Sequence, residues 1–315
     1  MNSNSIQDAN NIYEDEVDLK ELFLVLWEAK KLIILITSLF AMGSIIYSLT
    51  LPNYYRSEAV VSIAGQSTNT GSLGGLSGLA SMAGISLSAE GEDKSIIAIK
   101  TIQSRSFLKH LISFEDVLSS IVAAKSYDLQ SKKIQYDPEI YNEDKGEWVR
   151  KAERNRQAKP SYLEIYSSYL DQVSVTKDKA TNLVTISVEH ISPMFAKELL
   201  ELIIDQANEL MRDRDLRESS DAIAFLNTEI PKSSLITMKE AINNLVQAQL
   251  EKQMLSKINT EYILKVIEPP FIPEEKSRPL RAVICIFGTL IGGILAIILV
   301  LIRHYGSGRP KTKKE

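Results

Sequence analysis

Two uncharged apolar runs decide the fold: Leu32–Leu51, LIILITSLFAMGSIIYSLTL, and Ala282–Ile302, AVICIFGTLIGGILAIILVLI. Neither run contains Asp, Glu, Lys or Arg. At about 1.5 Å per helical residue each would be roughly 30 Å long, which is the thickness of the hydrocarbon core of a bilayer. We therefore predict two transmembrane helices that flank a middle segment, residues 52–281, large enough to build a globular core.

Basic residues next to the two runs predict the orientation of the chain. Lys30 and Lys31 precede the first run, and the tail, residues 303–315, carries five basic residues and one acidic residue. Because short cytoplasmic segments are enriched in Lys and Arg, both ends are predicted to be cytoplasmic. The middle segment is then predicted to lie outside the cytoplasm.

Composition excludes several functional classes. The net charge of −4 offers no broad basic surface for nucleic acid. The single cysteine, Cys285, cannot form an intrachain disulfide, and the three histidines lack metal-ligand spacing. No phosphate-binding loop and no catalytic motif is present. The sequence thus predicts a protein that is not an enzyme and has no cofactor.

An amphipathic helix is predicted within the N-terminal segment, residues 1–31. Apolar residues between positions 17 and 31 recur three and four residues apart, and Asp18 with Glu21 has the spacing of a capping box. Two alternatives remain open at this stage. The helix lies on the inner membrane surface, or it extends the first span.

Local patterns predict a mixed α/β base, residues 52–192 and 262–268. Strands are predicted at 55–64 and 262–267, a β-hairpin at 173–188, and a helix at 94–112. Residues 126–160 are polar and interrupted by Pro138 and Gly146, which predicts irregular structure.

A long helical hairpin is predicted for residues 193–261. Ser192-Pro193 is a helix start signal, and residues 194–230 contain no Gly or Pro. A second helical pattern, residues 234–260, follows Pro231. One straight rod over residues 193–260 would be about 100 Å long, and the stretch before the second span could return only about 70 Å. The two helices must therefore fold back near Pro231 as an antiparallel pair.

Three segments are candidates for contacts. A glycine-rich segment, residues 65–91, holds seven of the 14 glycines together with apolar residues that suit packing against another subunit or a membrane. A proline-rich stretch, residues 269–281, predicts a stiff strut into the second span. GxxxG within the second span permits close helix approach. The candidate residues are Gly74, Gly75, Leu76, Leu79, Met82 and Ile85 in the segment, Pro269, Pro270, Pro273, Ser277, Arg278 and Pro279 in the strut, and Gly288, Gly292 and Gly293 in the span.

The order of these features resembles the Wzz-type polysaccharide chain-length determinants, also called polysaccharide co-polymerases. The resemblance rests on Asp18-Leu19 and Leu26-Trp27 before the first span, the strand at 55–63, and the SGLASMAG sequence at 77–84. It also includes Gln103-Ser104-Arg105, the long helix, the PxxPxxxSRP strut and the GxxxG span. Residues 115–170 contribute little to it.

The resemblance implies a non-enzymatic protein of the bacterial inner membrane. Its copies would assemble into a ring or bell and set how many repeat units a Wzy-type polymerase adds to a lipid-linked surface glycan such as O-antigen. Direct contact with the growing glycan stays open. Longer members of the family append a cytoplasmic kinase, whereas only the short tail at 303–315 follows the second span here. A separate kinase subunit also stays open.

Two other classes share parts of this topology. A two-span sensor or adaptor would bind a ligand through the periplasmic segment, but such a receptor normally continues into a signalling module, which so short a tail cannot supply. An enzyme anchored by two spans would need a catalytic motif. The sequence therefore favours a fold of two transmembrane helices, a periplasmic α/β base and a helical hairpin.

Overall fold

A computed structural model describes residues 19–64, 90–151, 157–229, 236–259 and 261–306. The chain divides into two compact units. One consists of Met1–Leu51 with Pro279–Glu315, and the other is Pro52–Arg278.

Helices form the first unit: α1 (Leu19–Glu28), α2 (Lys30–Thr50) and α9 (Arg281–Gly306). Helices α2 and α9 pack against each other, and each is long and apolar enough to cross a membrane, with mean hydropathies of 2.2 and 2.9. Helix α9 continues beyond the predicted span to Gly306, since the charged residues that end an apolar run do not interrupt a helix.

The junction of α1 and α2 bears on the two alternatives for the N-terminal helix. Only Ala29 separates the helices, and hydrogen bonds with helical spacing cross it, from the Ala29 N–H to the Val25 carbonyl and from the Ile33 N–H to the Ala29 carbonyl, both at 3.1 Å. The backbone therefore runs almost without interruption from α1 into α2, which favours an extension of the first span. The predicted capping box at Asp18 and Glu21 lies outside the described side chains.

An antiparallel sheet organises the second unit. Its strands are β1 (Tyr54–Ile63), β6 (Val173–Lys177), β7 (Val184–His190), β8 (Leu264–Glu268) and β9 (Lys276–Arg278). Their order in the sheet is β6-β7-β1-β8, and β9 also pairs with β1. Alternate residues of β1 are buried, whereas β7 is buried along most of its length because helices cover that part of the sheet. The predicted strands and the hairpin of β6 and β7 are present.

The longest helix, α7 (Pro193–Glu229), covers the sheet with its first half and pairs with α8 (Ile236–Ile258) further along. The Ser192 hydroxyl accepts a hydrogen bond from the Phe195 N–H at 3.2 Å, as the start signal predicts. The Gln253 amide donates to the Ser220 hydroxyl at 2.9 Å, and the Tyr262 hydroxyl donates to Asp215 at 2.5 Å. Residue numbers therefore rise along one arm of the pair as they fall along the other. The predicted antiparallel hairpin is confirmed.

The segment predicted as irregular contains two short β-hairpins. They are formed by β2 (Ala124–Asp128) with β3 (Lys133–Tyr136) and by β4 (Tyr141–Asn142) with β5 (Glu147–Trp148). Such strands are too short for a clear alternating pattern. Aromatic contacts connect them instead: the Tyr136 and Tyr141 rings lie 5.4 Å apart, and the Tyr141 and Trp148 rings 5.1 Å.

Four further helices complete the base: α3 (Glu90–Ile102), α4 (Arg105–Leu111), α5 (Val117–Ala123) and α6 (Tyr162–Gln172). The single helix predicted at 94–112 is therefore two helices. They separate because the Ser104 hydroxyl accepts a hydrogen bond from the Phe107 N–H at 3.1 Å and caps the start of α4.

Candidate functional site

Two glycines of the GxxxG motif allow α9 to approach α2 closely. A Cβ atom built on Gly288 would overlap the Cβ of Ser44, and one on Gly292 would lie 2.5 Å from the Cβ of Phe40. Both of these Cβ–Cβ separations are shorter than any non-bonded contact between two carbon atoms. No larger residue fits at either position unless the helices separate.

The seam between these helices is longer than the GxxxG motif. Ala296 and Val300 continue the spacing of four residues on α9 and are buried, and Ser48 on α2 is also buried. A small residue every four positions is the general pattern for close membrane helices. The sequence prediction named Gly288, Gly292 and Gly293 but not Ala296, which extends the same pattern.

Gly293 differs from the other two glycines of the predicted contact. A Cβ atom at this position would have nothing within 4 Å, so the residue lies away from α2. The structure thus places Gly288 and Gly292 in a contact within the chain and leaves the surface at Gly293 open. A contact of these glycines with another subunit or a polymerase stays a prediction.

The proline-rich stretch lies along the edge of β1. The Ser57 hydroxyl donates to the Phe271 carbonyl at 2.7 Å, and the Ser277 hydroxyl donates to the Tyr54 carbonyl at 3.1 Å. Ser277 and Arg278 belong to β9, in which Arg278 pairs with Tyr54. Pro269, Pro270 and Pro273 lie between β8 and β9, so at least part of the predicted strut is fixed to the sheet.

A buried carboxylate joins this stretch to β7. Glu189 is 5% exposed, and Arg278 donates two hydrogen bonds to it, one of them at 2.7 Å from Nε. The single O–H of Ser277 is shared between the Tyr54 carbonyl and the Glu189 carboxylate, and Arg56 lies 3.7 Å from the same carboxylate. Burial alone would raise the pKa of Glu189, but the hydrogen bonds and positive charges outweigh burial and hold the pKa below its ordinary value of 4.5. Sequence reasoning identified Arg278 and missed Glu189, a single charge within an apolar strand.

This carboxylate predicts an acid-sensitive fold. A depressed pKa contributes stability that is fully present above the unfolded pKa, near 4.5, and is lost as the pH falls through the folded pKa. We expect the thermal midpoint of the purified protein to fall more steeply below about pH 4.5 in the wild type than in Glu189→Gln. Glu58→Gln is the matched control, because Glu58 also lies 3.7 Å from Arg56 but is 44% exposed. Identical profiles for the wild type and Glu189→Gln would contradict the prediction.

A buried asparagine fixes the point where the chain returns from the helical hairpin to the sheet. Asn208 of α7 is 5% exposed, and its carbonyl oxygen accepts hydrogen bonds from the Ile263 N–H at 2.9 Å and the Leu264 N–H at 2.8 Å. Its amide donates to the Leu264 carbonyl at 3.0 Å. One side chain thereby satisfies three backbone groups at the start of β8. No sequence pattern distinguished Asn208 from an exposed polar residue on the same helix.

The histidines in the second unit have structural partners. The buried ring of His190 donates from Nε2 to the Ser120 carbonyl at 2.9 Å, and its Nδ1 accepts from the Ser192 N–H at 3.1 Å. Burial lowers the pKa of His190 to about 4, so the ring is neutral at pH 7. His110 forms a hydrogen bond with Gln206 at 2.6 Å. Across the described residues, no group of three His, Cys, Asp or Glu side chains is arranged to hold a metal ion.

The remaining predicted contact residues lie outside the described residues. They are Gly74, Gly75, Leu76, Leu79, Met82 and Ile85. Their contact with another subunit stays a prediction.

Comparison with known proteins adds a family to this geometry. Residues 15–114 match the family model described as Wzz, the chain length determinant protein. Over this segment the chain is similar to the Wzz-type chain length determinants, and these residues are called the Wzz-type segment below. The Wzz-type segment spans α1, α2, β1, α3 and α4, and it therefore includes the first candidate span and the central strand of the sheet. Asn208, Glu189 and the helical hairpin lie beyond it.

The chain is similar to a full-length bacterial polysaccharide co-polymerase at 13% sequence identity and a TM-score of 0.40, with 94% of this chain and 100% of the other covered. No curated relative matches the sequence.

Proposed function

We propose that this protein regulates the chain length of a bacterial surface polysaccharide. The observation that carries the proposal is the match of residues 15–114 to the chain length determinant family. The protein would act as a co-polymerase that binds a Wzy-type polymerase and changes when polymerisation ends. It would perform no chemistry itself, and O-antigen is the candidate product.

An inner-membrane location follows from the same proposal. Helices α2 and α9 are each able to cross a membrane by length and composition. Lys30 and Lys31 precede the apolar part of α2, and Arg303 lies in the last turn of α9. Because basic residues mark the cytoplasmic side, both termini would be cytoplasmic and Pro52–Arg278 would be periplasmic.

Exposed apolar residues on α8 support assembly into a homo-oligomer. Five large apolar side chains of this helix are between 44% and 72% exposed: Leu245, Leu250, Met254, Leu255 and Ile258. Large exposed apolar patches are uncommon on monomeric proteins and mark interaction surfaces. A second copy of the same hairpin would cover these residues in a ring. The glycine-rich segment is a further proposed contact.

Deletion of the gene tests the function. We expect the surface glycan to change from a regulated modal length to a short distribution without a mode, because polymerisation would then end at random. The glycan ladder on a gel is the measurement. A plasmid copy of the wild-type gene should restore the mode, which controls for effects on neighbouring genes. An unchanged ladder after deletion would reject the proposed function.

A further inference from the structure

A cavity of about 260 Å³ opens in the base, beyond the Wzz-type segment. Its lining comes from the start of α5, strand β3 with the turn before it, the turn between β4 and β5, and the start of α7. Residues from four separate parts of the chain thus converge on one concave site. Neither the family match nor the proposed function uses it.

The floor of the cavity combines hydroxyl groups with an aromatic surface. The Ser120 and Tyr136 hydroxyls form a hydrogen bond of 3.2 Å. Phe195 is 8% exposed, and its ring lies 4.6 Å from that of the buried His190. The floor therefore places two hydroxyl groups beside a buried aromatic ring, and small-ligand sites combine apolar surface with a few placed polar groups in this way.

Charged side chains of both signs form the rim. They are Asp116, Glu143 and Glu198, with Lys132 and Lys133. Within the described parts of the chain, none of the five forms a hydrogen bond or ion pair through its side chain. The rim can therefore offer acceptors from carboxylates and donors from ammonium groups to a ligand.

Two rim residues have a strained backbone. Asp116 has φ 62° and Lys132 has φ 54°, in the left-handed region that residues with side chains rarely adopt. Such conformations persist where the surrounding fold enforces them, and they cluster at binding sites. Two of the three non-glycine residues with positive φ in the described part of the chain therefore lie on this rim, and the third, Asn182, lies in the turn between β6 and β7.

We propose that this cavity binds one unit of a neutral, hydroxyl-rich saccharide within the polysaccharide. A sugar ring requires many donors and acceptors around an apolar face, and the rim and floor supply both. Three carboxylates against two ammonium groups leave a net charge of −1 on the rim, which disfavours an acidic sugar or a phosphate. The identity of the ligand rests on the proposed function. The site itself rests on the cavity.

Saturation-transfer NMR on the full-length protein tests the proposal, in a detergent without a sugar headgroup. The probes are glucose, galactose and N-acetylglucosamine, with glucuronate and glucose 6-phosphate as anionic comparators. We expect transfer to at least one neutral sugar at about 10 mM, since a weak site has a Kd of roughly 1 mM. Transfer to the anionic comparators should be weaker. Absence of transfer to all three neutral sugars, or stronger transfer to the anionic pair, would overturn the proposal.

Variants of the cavity residues test whether the sugar binds there. Asp116→Asn/Glu198→Gln keeps the shape of both side chains, and Asn tolerates the left-handed conformation. We expect it to weaken sugar binding roughly tenfold through the lost charged acceptors. Tyr136→Phe removes one hydroxyl and should weaken binding less. Asp221→Asn, an exposed carboxylate on the same helix as Glu198, is the matched control. Equal binding by the double variant and this control would reject the cavity as the site.

The two proposals fail separately. Sugar binding at the cavity together with an unchanged ladder after gene deletion would reject the proposed function and retain a saccharide site. A ladder that changes on deletion, without sugar binding, would retain the function and reject the site.

Discussion

Replacement of Asn208 by leucine is expected to destabilise the second unit by about 3–5 kcal/mol, because two N–H groups and one carbonyl would lose their partner in a buried position. Ile263 and Leu264, which carry these groups, are 4% and 1% exposed, so water cannot replace the side chain. Folded domains are stable by only about 5–15 kcal/mol. The change would therefore remove a large share of the total stability.

Urea unfolding of the full-length protein in detergent measures this effect. Trp148 packs against the core of the second unit, and a Trp27→Phe background would leave it as the only tryptophan. Asn244→Leu is the matched control, since Asn244 is exposed on α8. Asn208→Asp should give an intermediate loss, because it keeps the two acceptor contacts and loses the donor. A leucine variant within about 0.5 kcal/mol of the wild type would show that Asn208 is dispensable.

The second large effect is expected at the helix seam of the first unit. Gly288→Leu and Gly292→Leu should separate α2 from α9, because even the first side-chain carbon would overlap Ser44 or Phe40. Gly293→Leu is the matched control, since its Cβ would have open space. The three changes add the same side chain to neighbouring turns of one helix, so hydropathy is equal among them.

Cross-linking reports the separation of the helices. Leu32 and Val300 line one cavity of the first unit, and cysteines at both positions in a Cys285→Ser background would be joined by a short bis-maleimide. We expect the yield to fall at least about fivefold for Gly288→Leu and Gly292→Leu, which corresponds to roughly 1 kcal/mol. Gly293→Leu should keep the wild-type yield. Equal cross-linking yields in all three variants would contradict the close contact of α2 and α9 at Gly288 and Gly292.

Elements with long apolar patterns are predictable from the sequence. The spans, the two hairpin helices and β1 each carry a pattern that repeats over several turns of helix or a long strand, so that local signals accumulate. Helices α5 and α6 and strands β2–β5 are short, and their local sequence patterns do not identify them. Their positions depend on contacts such as Tyr141 with Trp148, which a local pattern does not show.

The candidate sites are predictable only in part, for a different physical reason. The seam is visible because Gly288 and Gly292 have a spacing with a direct geometric meaning. Glu189 and Asn208 become important through partners that lie 89 and 56 residues away in sequence, at Arg278 and Leu264. Glu and Asn are common surface residues, so residue type alone does not mark either position. Only the fold brings their partners together.

The pairing of the first and last strands has a consequence for synthesis of the protein. Tyr54 and Ser277, joined by a hydrogen bond, are 223 residues apart in sequence, which gives the unit a high contact order. At roughly 5–20 residues per second, a ribosome needs on the order of 10–45 s to make the stretch between them. During that time one edge of β1 has no strand to pair with, and an unpaired edge can bind other chains. Arg56 and Glu58 place opposite charges on this strand, which would discourage such pairing until β8 and β9 emerge.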